Sequence, residues 1–382
     1  MPVLKSLIAR EIIDSRATPT IEVVAVLDDG ATGISSVPSG ASTGTYEALE
    51  LRDNDPQHYL GKGVHTAISH ITTEIGSQLI GQPIESLSQV DDSLIRLDGT
   101  PNKTHLGANA ILGVSTSIAK ALASSAQKPL YQFLAIQAQN TEALFIPTPM
   151  FNMINGGKHG AGNLDFQEFF IIPNHLHPFA SSLETGAVIY KTMKKLLARR
   201  GAIHSVGDEG GFAPNLFTNL DALEVLVEAS VESNRKVGVD VELGLDLAAN
   251  SFFKDGRYTI KDRSSPLDTV EFIDYLKDLN EQYHLRILED PLHEDDWRGW
   301  SILTSTLGGQ TSIVGDDLLV TNPQRVKKAI AEKACNAILV KPNQIGTISE
   351  TIAVIHQSRA AGWKIIVSHR SGETNDDFIA DF

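Results

Sequence analysis

Five short apolar runs in the second half of the chain each end at a residue that can bind a metal or transfer a proton. The runs are rich in β-branched and aliphatic residues, and helix-like stretches separate them, which predicts buried parallel strands of a βα array. The residues that end the runs are Asp246, Glu289, Asp316, Lys341 and His369. One such residue alone is typically a strand-end cap or a surface charge. Five in register indicate a shared site, because active sites of (β/α)8 barrels lie at the carboxyl ends of the strands.

The N-terminal third of the chain has a different pattern. Strand-like runs at residues 6–13 and 21–27 are separated by turn-forming residues, which predicts an antiparallel meander. Three segments with helical spacing of apolar positions follow. The pattern therefore predicts an N-terminal α+β domain over residues 1–136, and the polar residues 137–143 are the predicted linker.

The remaining residues, 144–382, are predicted to form a barrel domain. Two strand-like runs within residues 150–172 are only a short turn apart, which predicts a hairpin at the start of the barrel in place of a strict βα repeat. Helices are predicted at residues 178–199 and 220–233. The predicted fold class is α/β, with the N-terminal α+β domain capping a TIM barrel.

Composition and charge narrow the functional classes. The 382 residues can bury a large core, and 42% of them are apolar. A formal net charge of −15 argues against nonspecific binding to nucleic acids and against adhesion to anionic membranes. Cys335 is the single cysteine, so no intramolecular disulfide can form, and its apolar neighbours predict a buried thiol. The sequence shows neither a signal peptide nor a membrane-spanning stretch, which predicts a cytoplasmic protein.

Three of the strand-end residues predict a metal site. Asp246, Glu289 and Asp316 form an all-carboxylate set, and hard oxygen ligands of this kind suit Mg²⁺. Three carboxylates in one pocket would repel each other strongly without a cation. Lys341 ends a strand nearby, where a lysine close to a divalent cation can lose its proton and act as a general base. The alternative for Lys341 is a salt bridge to a ligand carboxylate.

Anion-binding groups and further acids lie around this set. His369, Arg370 and Ser371 form a candidate clamp for a phosphate or a carboxylate. If Glu168 and Glu209 approach each other, one of them would be held protonated and could donate a proton to a leaving group. Alternatively, either of these two residues could be an ordinary solvated charge on a loop.

Two loops rich in small residues could approach a ligand. His159 lies on a glycine-rich loop that could close over a bound molecule. Residues 37–48 could approach a ligand through Gly40, Ala41 and Ser42, although an ordinary surface loop has the same composition. A metal cluster, a lysine base, an anion clamp and an acid pair together describe proton abstraction α to a carboxylate, followed by loss of a β group. The doubly charged enediolate that forms needs strong positive charge, which Mg²⁺ can provide.

The chain closely resembles the enolase (phosphopyruvate hydratase) family from Glu11 to its last residue. Motifs that carry the resemblance are GluIleIleAspSerArg, ProSerGlyAlaSerThrGly, LeuArgAspAsnAsp, GlyAlaAsnAlaIleLeuGlyVal, AsnGlyGlyLysHis, GlnGluPhe, GlyAspGluGlyGlyPheAlaProAsn, GluAspPro, GlyAspAspLeu, LysProAsnGlnIleGly and SerHisArgSerGlyGlu. The resemblance implies a barrel whose second strand is antiparallel. It also implies reversible dehydration of 2-phosphoglycerate to phosphoenolpyruvate with two Mg²⁺ ions, and assembly as a homodimer or a larger homo-oligomer.

The resemblance also implies a role for each matching residue. Asp246, Glu289 and Asp316 would bind the first Mg²⁺, and Ser42 the second. Lys341 would be the base and Glu209 the acid, with Glu168 supporting it. The implied substrate contacts are His159, Gln167, His369, Arg370 and Ser371, with His369 beside the phosphate.

Three features of the sequence bear on these expectations. Ala17, Thr18 and Pro19 follow AspSerArg where the family has GlyAsnPro, which is expected to stiffen the turn without changing the chemistry. Pro342 restricts Lys341 to extended backbone geometry, as a strand end requires. The sequence ends at Phe382, whereas the family continues for about one further βα unit that carries a second active-site lysine, so the barrel is expected to be incomplete at its C-terminal end.

The last departure leaves alternatives to the reaction above. One is a truncated, catalytically impaired member of the family that binds macromolecular partners, with a secondary cell-surface or secreted pool beside the cytoplasmic one. Another is a related lyase or racemase that acts on a different acid. The Ser42 loop and the pair Glu168 and Glu209 favour the enolase reaction over this second alternative.

Overall fold

The computed structural model describes residues 1–41, 44–160 and 162–382. These residues divide into two compact units. The first unit comprises Met1–Ala143, Leu319–Lys327 and Leu339–Phe382, and the second comprises Leu144–Leu318 and Lys328–Ile338. Within the described residues, no helix combines the length and the apolar character that crossing a membrane requires.

An antiparallel sheet with helices forms most of the first unit, which confirms the predicted meander. The strand order is β1-β2-β3, and both pairs are antiparallel. Strands of the first unit are β1 (Leu4–Ile13), β2 (Pro19–Leu27), β3 (Thr32–Ser36) and β12 (Lys364–Val367). Its helices are α1 (His65–His70), α2 (Gly76–Leu79), α3 (Leu87–Asp98), α4 (Ala108–Ser125), α5 (Leu130–Gln137), α11 (Ile348–Ala360) and α12 (Phe378–Asp381). A π-helical turn at Ile71–Ile75 joins α1 to α2 and buries both of its isoleucines.

Helix α4 packs closely on this sheet because glycines occupy the contact points. A Cβ atom at Gly33 would lie 2.0 Å from the carbonyl oxygen of Ser117, and one at Gly113 would lie 2.7 Å from Cγ2 of Val23. Both distances are too short for a side chain, so only glycine permits this approach. The helix contributes a run of small buried residues to the core of the unit.

Ala17, where the sequence differs from the family pattern, lies in the turn between β1 and β2. The carboxylate of Asp14 accepts hydrogen bonds from the backbone N–H groups of Arg16 and Thr18, both at 2.8 Å. This turn places Ala17 in the left-handed region, with a φ of 58°. A side chain there costs about 1–2 kcal/mol, since Cβ approaches the following carbonyl oxygen.

Ala17→Gly is therefore expected to raise the free energy of unfolding by up to about 1 kcal/mol. The relief of strain exceeds the extra chain entropy that glycine brings to the unfolded state, which is about 0.5–1 kcal/mol. Urea denaturation measures the change. Ala31→Gly is the control, because residue 31 is not among the positive-φ positions. A variant that lost stability at position 17 would contradict the strain argument.

A buried carboxylate links α3 to the start of α11. Oδ2 of Asp91 accepts hydrogen bonds from the backbone N–H of Ser349 at 2.8 Å and from its hydroxyl at 2.6 Å. Asp91 is fully buried, and this burial raises its pKa to about 6, although the hydrogen bonds from Ser349 oppose the shift. The folded chain therefore binds a proton at Asp91 at a pH where the unfolded chain does not.

This proton uptake predicts a pH-dependent stability difference. Protonation of Asp91 contributes about 3 kcal/mol to the free energy of unfolding. This contribution is fully present below about pH 4 and is lost as the pH rises through about 6. The stability of Asp91→Asn minus that of the parent is therefore expected to increase between pH 4 and pH 6 and to stay constant above pH 7. Chemical denaturation across this range measures it, with the exposed neighbour Asp92→Asn as control. The same dependence of the free energy of unfolding on pH in Asp91→Asn and in the parent would refute the prediction.

The second unit contains most of the predicted barrel strands. Its strands are β4 (Phe151–Asn155), β5 (Glu168–Pro173), β6 (Val241–Asp246), β7 (Phe253–Lys254), β8 (Arg257–Tyr258), β9 (Ile287–Glu289), β10 (Ser312–Gly315) and the start of β11 (Ala337–Val340). Its helices are α6 (Phe179–Arg199), α7 (Asn219–Glu232), α8 (Thr269–Tyr283), α9 (Trp297–Leu307) and the end of α10 (Pro323–Glu332). Each of the five apolar runs is a strand, and the two predicted helices are α6 and α7.

Strand directions confirm the hairpin and the parallel array. Strand β5 is antiparallel to both β4 and β6, whereas β6, β9, β10 and β11 are parallel to one another in turn. The sheet has seven strands in the order β12-β11-β10-β9-β6-β5-β4. The described fold is thus α/β, an N-terminal α+β domain followed by a TIM-barrel sheet with one antiparallel strand.

Cys335 lies buried before β11 as predicted, and burial raises the pKa of its thiol above the usual range.

Candidate active site

Acidic side chains lie at the carboxyl ends of β6, β9 and β10 in the second unit. Asp246 and Glu289 are register partners at the ends of β6 and β9, and Asp316 directly follows β10. Asp246 and Glu289 are each only 4% exposed. The parallel register brings these residues to one edge of the sheet, as the apolar runs predict.

Gln167 orients the first of these acids. Its side-chain amide donates a hydrogen bond to Oδ2 of Asp246 at 2.9 Å, and its backbone N–H donates to the carbonyl oxygen of the same residue at 2.9 Å. The backbone N–H of Ala248 donates to the other carboxylate oxygen, Oδ1, at 2.9 Å. Both oxygens of Asp246 are therefore held by donors, which sets the orientation of the carboxylate.

Sequence reasoning missed Asp290 and Asp317, which follow two of the predicted ligands. Oδ1 of Asp290 accepts the backbone N–H of Asp316 at 2.9 Å, and Oδ2 accepts that of Asp317 at 2.7 Å. Carboxylate oxygens of Asp290, Asp316 and Asp317 lie within 4.8 Å of one another. The second acid in each of the motifs GluAspPro and GlyAspAspLeu was the signal that could have identified them.

This carboxylate cluster concentrates negative charge in a buried region. Burial raises the pKa of Asp290 well above its ordinary value, and the charges of Asp317, Asp316 and Asp246 raise it further. An all-oxygen donor set with excess negative charge fits Mg²⁺ or a similar hard divalent cation. The donors of this cluster therefore fit the metal that the resemblance implies, and the cluster shares Asp316 with the implied ligand set.

A second group in the same unit brings three predicted residues together. Nδ1 of His159 lies 3.0 Å from Oε1 of Glu168 and 3.4 Å from Oε1 of Glu209. The side chains are 4%, 11% and 6% exposed, respectively. The condition that Glu168 and Glu209 approach each other is met, and the imidazole lies beside both carboxylates.

Asparagines and glycines shape the surroundings of Glu209. Asn152 donates a hydrogen bond from Nδ2 to Oε2 of Glu209 at 3.4 Å. Asn155 is buried, and among the described residues neither polar atom of its side chain has a hydrogen-bond partner. A Cβ atom at Gly211 would lie 2.5 Å from Oδ1 of Asn155, so the glycine turn leaves room for this amide. Both asparagines lie on β4; Asn155 opens the motif AsnGlyGlyLysHis, whereas the sequence offered no specific signal for Asn152.

Lys341 lies in the first unit directly after β11. Its backbone is extended, with φ −129° and ψ 104°, and its N–H donates to Oγ1 of Thr321 at 2.9 Å. Pro342 begins a short 3-10 turn after it. The expected extended geometry before the proline is confirmed.

Arg370 of the predicted anion clamp is buried with an acidic partner. Its Nη1 donates to Oε2 of Glu47 at 3.0 Å and to Oδ1 of Asn343 at 3.1 Å, and the side chain is 4% exposed. Ser371 accepts a hydrogen bond from the backbone N–H of Ala41 at 3.2 Å, while His369 is exposed. Glu47 was not predicted. Ser42, the implied ligand of the second Mg²⁺, lies outside the described residues.

The fold and the strand-end acids define a two-domain α/β protein with a candidate centre for a divalent metal. The model of the enolase N-terminal domain matches residues 4–134, and that of the enolase C-terminal TIM-barrel domain matches residues 143–382. The chain belongs to the enolase family. This membership places it among the lyases of the enolase superfamily.

Proposed function

We propose that the protein catalyses the reversible, Mg²⁺-dependent dehydration of 2-phosphoglycerate to phosphoenolpyruvate. The observation that carries the proposal is the carboxylate cluster of Asp290, Asp316 and Asp317, together with Asp246 and Glu289 at the ends of β6 and β9, in a chain that matches both enolase domains. Neither a related acid as substrate nor a purely macromolecular binding role is favoured by any contact of the described residues.

The proposed metal ligands follow the chemistry of the donors. Asp246, Glu289 and Asp316 would hold one Mg²⁺, and Ser42 would contribute to a second. When bound, these ions would stabilise the negative charge that develops on the substrate carboxylate. The hydrogen bonds from Gln167 and Ala248 to Asp246 support this assignment, because they hold a ligand carboxylate in one orientation.

Lys341 is the proposed base. Its neutral amine would remove the proton at C2 of 2-phosphoglycerate, and the electron pair of the C–H bond would move into the carboxylate to form an enediolate. Arg370, Ser371 and His369 are proposed to bind the anionic groups of the substrate, together with His159 and Gln167. The ion pair of Arg370 with Glu47 keeps the guanidinium ordered.

Glu209 is the proposed acid. As the enediolate collapses, the C3–O bond breaks, and a proton from Glu209 allows the hydroxyl to leave as water. The proximity of Glu168 supports this role, because a second carboxylate beside Glu209 favours its protonated form.

The first experiment measures phosphoenolpyruvate formation from 2-phosphoglycerate by the purified chain, with and without Mg²⁺. Turnover that a chelator abolishes, and that added Mg²⁺ restores, is the expected result. A folded chain without turnover, judged by circular dichroism, would refute the proposal.

Three further expectations stay predictions: the domain boundaries 1–136 and 144–382, a homodimeric or larger assembly, and a cytoplasmic location. Size-exclusion chromatography with light scattering tests the assembly.

A further inference from the structure

A separate group of metal-ligand side chains lies in the first unit, and none of its members has a role in the proposed reaction. Nε2 of His58 lies 3.1 Å from Oε1 of Glu11 and 3.2 Å from Oε2. Nε2 of His65 lies 3.8 Å from Oε1 of the same carboxylate. One ligand atom from each residue lies within 4.8 Å of the other two. Two imidazoles and one carboxylate thus converge.

Backbone contacts hold this group in place. Oε2 of Glu11, on β1, accepts the N–H of Val64 at 3.0 Å. Asp53 accepts the N–H groups of His65 at 2.8 Å and Thr66 at 2.7 Å, which fixes the first turn of α1. The ligand side chains therefore project from an ordered backbone and not from a free loop.

Gly63 allows His58 to approach this turn. A Cβ atom at position 63 would lie 2.3 Å from Cδ2 of His58 and 2.5 Å from Oδ2 of Asp53. Such distances are impossible for a side chain, so a residue other than glycine would displace the imidazole. The position of His58 beside Glu11 depends on this close packing.

The spacing suits a tetrahedral transition metal. Zn–N and Zn–O bonds of about 2.0–2.2 Å in a tetrahedron separate ligand atoms by about 3.3–3.6 Å. The separations of 3.1 to 3.8 Å around Glu11 bracket this range. The rings of His58 and His65 are stacked with centroids 4.4 Å apart, and the His65 side chain is 65% exposed, so it can rotate to complete the geometry.

We propose that Glu11, His58 and His65 form a binding site for a divalent transition metal of the Zn²⁺ class. Imidazole ligands favour Zn²⁺, Ni²⁺ and Cu²⁺, whereas Mg²⁺ prefers oxygen ligands alone, so this site and the carboxylate cluster differ in the cations that they select. Glu11, His58 and His65 would occupy three of the four tetrahedral coordination positions, and a water molecule would occupy the fourth. A bound ion joins β1 to the start of α1 and stabilises the first unit. This proposal does not rest on the proposed function.

Calorimetric titration of the full chain with Zn²⁺ in excess Mg²⁺ tests the proposal, because Mg²⁺ competes for the oxygen-only cluster and not for imidazole. The parent protein is expected to bind Zn²⁺, and Glu11→Gln and His65→Ala are each expected to weaken that binding by at least about tenfold. Glutamine at position 11 keeps an acceptor for Val64 while removing the charge. His177→Ala removes an exposed imidazole from the second unit and is expected to leave Zn²⁺ binding unchanged.

Thermal unfolding provides a second readout on the same proteins. Zn²⁺ is expected to raise the Tm of the parent and of His177→Ala, and to raise it less in the two ligand variants. Circular dichroism without metal establishes that the variants fold. The absence of Zn²⁺ binding by the parent would overturn the proposal. Equal binding by the parent and both ligand variants would also overturn it, since the metal would then bind at another group, such as His159, Glu168 and Glu209.

Discussion

Lys341→Met is expected to lower kcat for phosphoenolpyruvate formation by about 10²–10⁴-fold, the usual contribution of a positioned base. Methionine has a similar length and an unbranched side chain, but it cannot accept a proton. The backbone contact of residue 341 with Thr321 does not involve the side chain, so the substitution should leave the strand end intact. Steady-state assays at saturating Mg²⁺ measure the loss.

Exchange of the C2 proton of 2-phosphoglycerate with deuterated solvent separates a lost base from a general defect. Lys341→Met is expected to lose this exchange as well as dehydration, because both need proton removal at C2. Lys327→Met, at an exposed position on α10, is the matched control and should keep parental rates. Exchange at the parental rate in Lys341→Met would assign the base to another residue.

Glu209→Gln is expected to lower dehydration by about 10²–10⁴-fold while C2 exchange continues. The reason is the order of the two steps: the proton at C2 leaves first, and the acid is needed only when the C3–O bond breaks. Glutamine retains oxygen and nitrogen atoms near His159 and Asn152, so packing around position 209 is largely conserved. Nuclear magnetic resonance of the substrate in deuterated buffer measures exchange and dehydration in one sample.

The control for this variant is Glu224→Gln, which changes an exposed glutamate on α7. It should match the parent in both reactions. If Glu209→Gln loses exchange and dehydration to the same degree, Glu209 does not act as the acid of the second step. Retained exchange in Glu209→Gln together with lost exchange in Lys341→Met would establish separate roles for the two residues.

The local pattern of the sequence determined the elements and the positions of the acidic residues at the strand ends. Short continuous apolar runs specify buried parallel strands because both faces of such a strand pack against hydrophobic layers, and a βα repeat aligns their carboxyl ends. Asp246, Glu289 and Asp316 could be predicted for this reason. The antiparallel β5 was also foreseeable, since a short connection permits a hairpin but not a parallel crossover.

Only the tertiary structure decided which side chains meet. Periodicity shows which face of an element is buried, but it does not identify the partner on another element. The contacts of Asp290 with the turn after β10, of Arg370 with Glu47, and of Glu11 with His58 join residues far apart in the chain. Packing and the pairing of buried charges bring these groups together, and both depend on the folded chain as a whole.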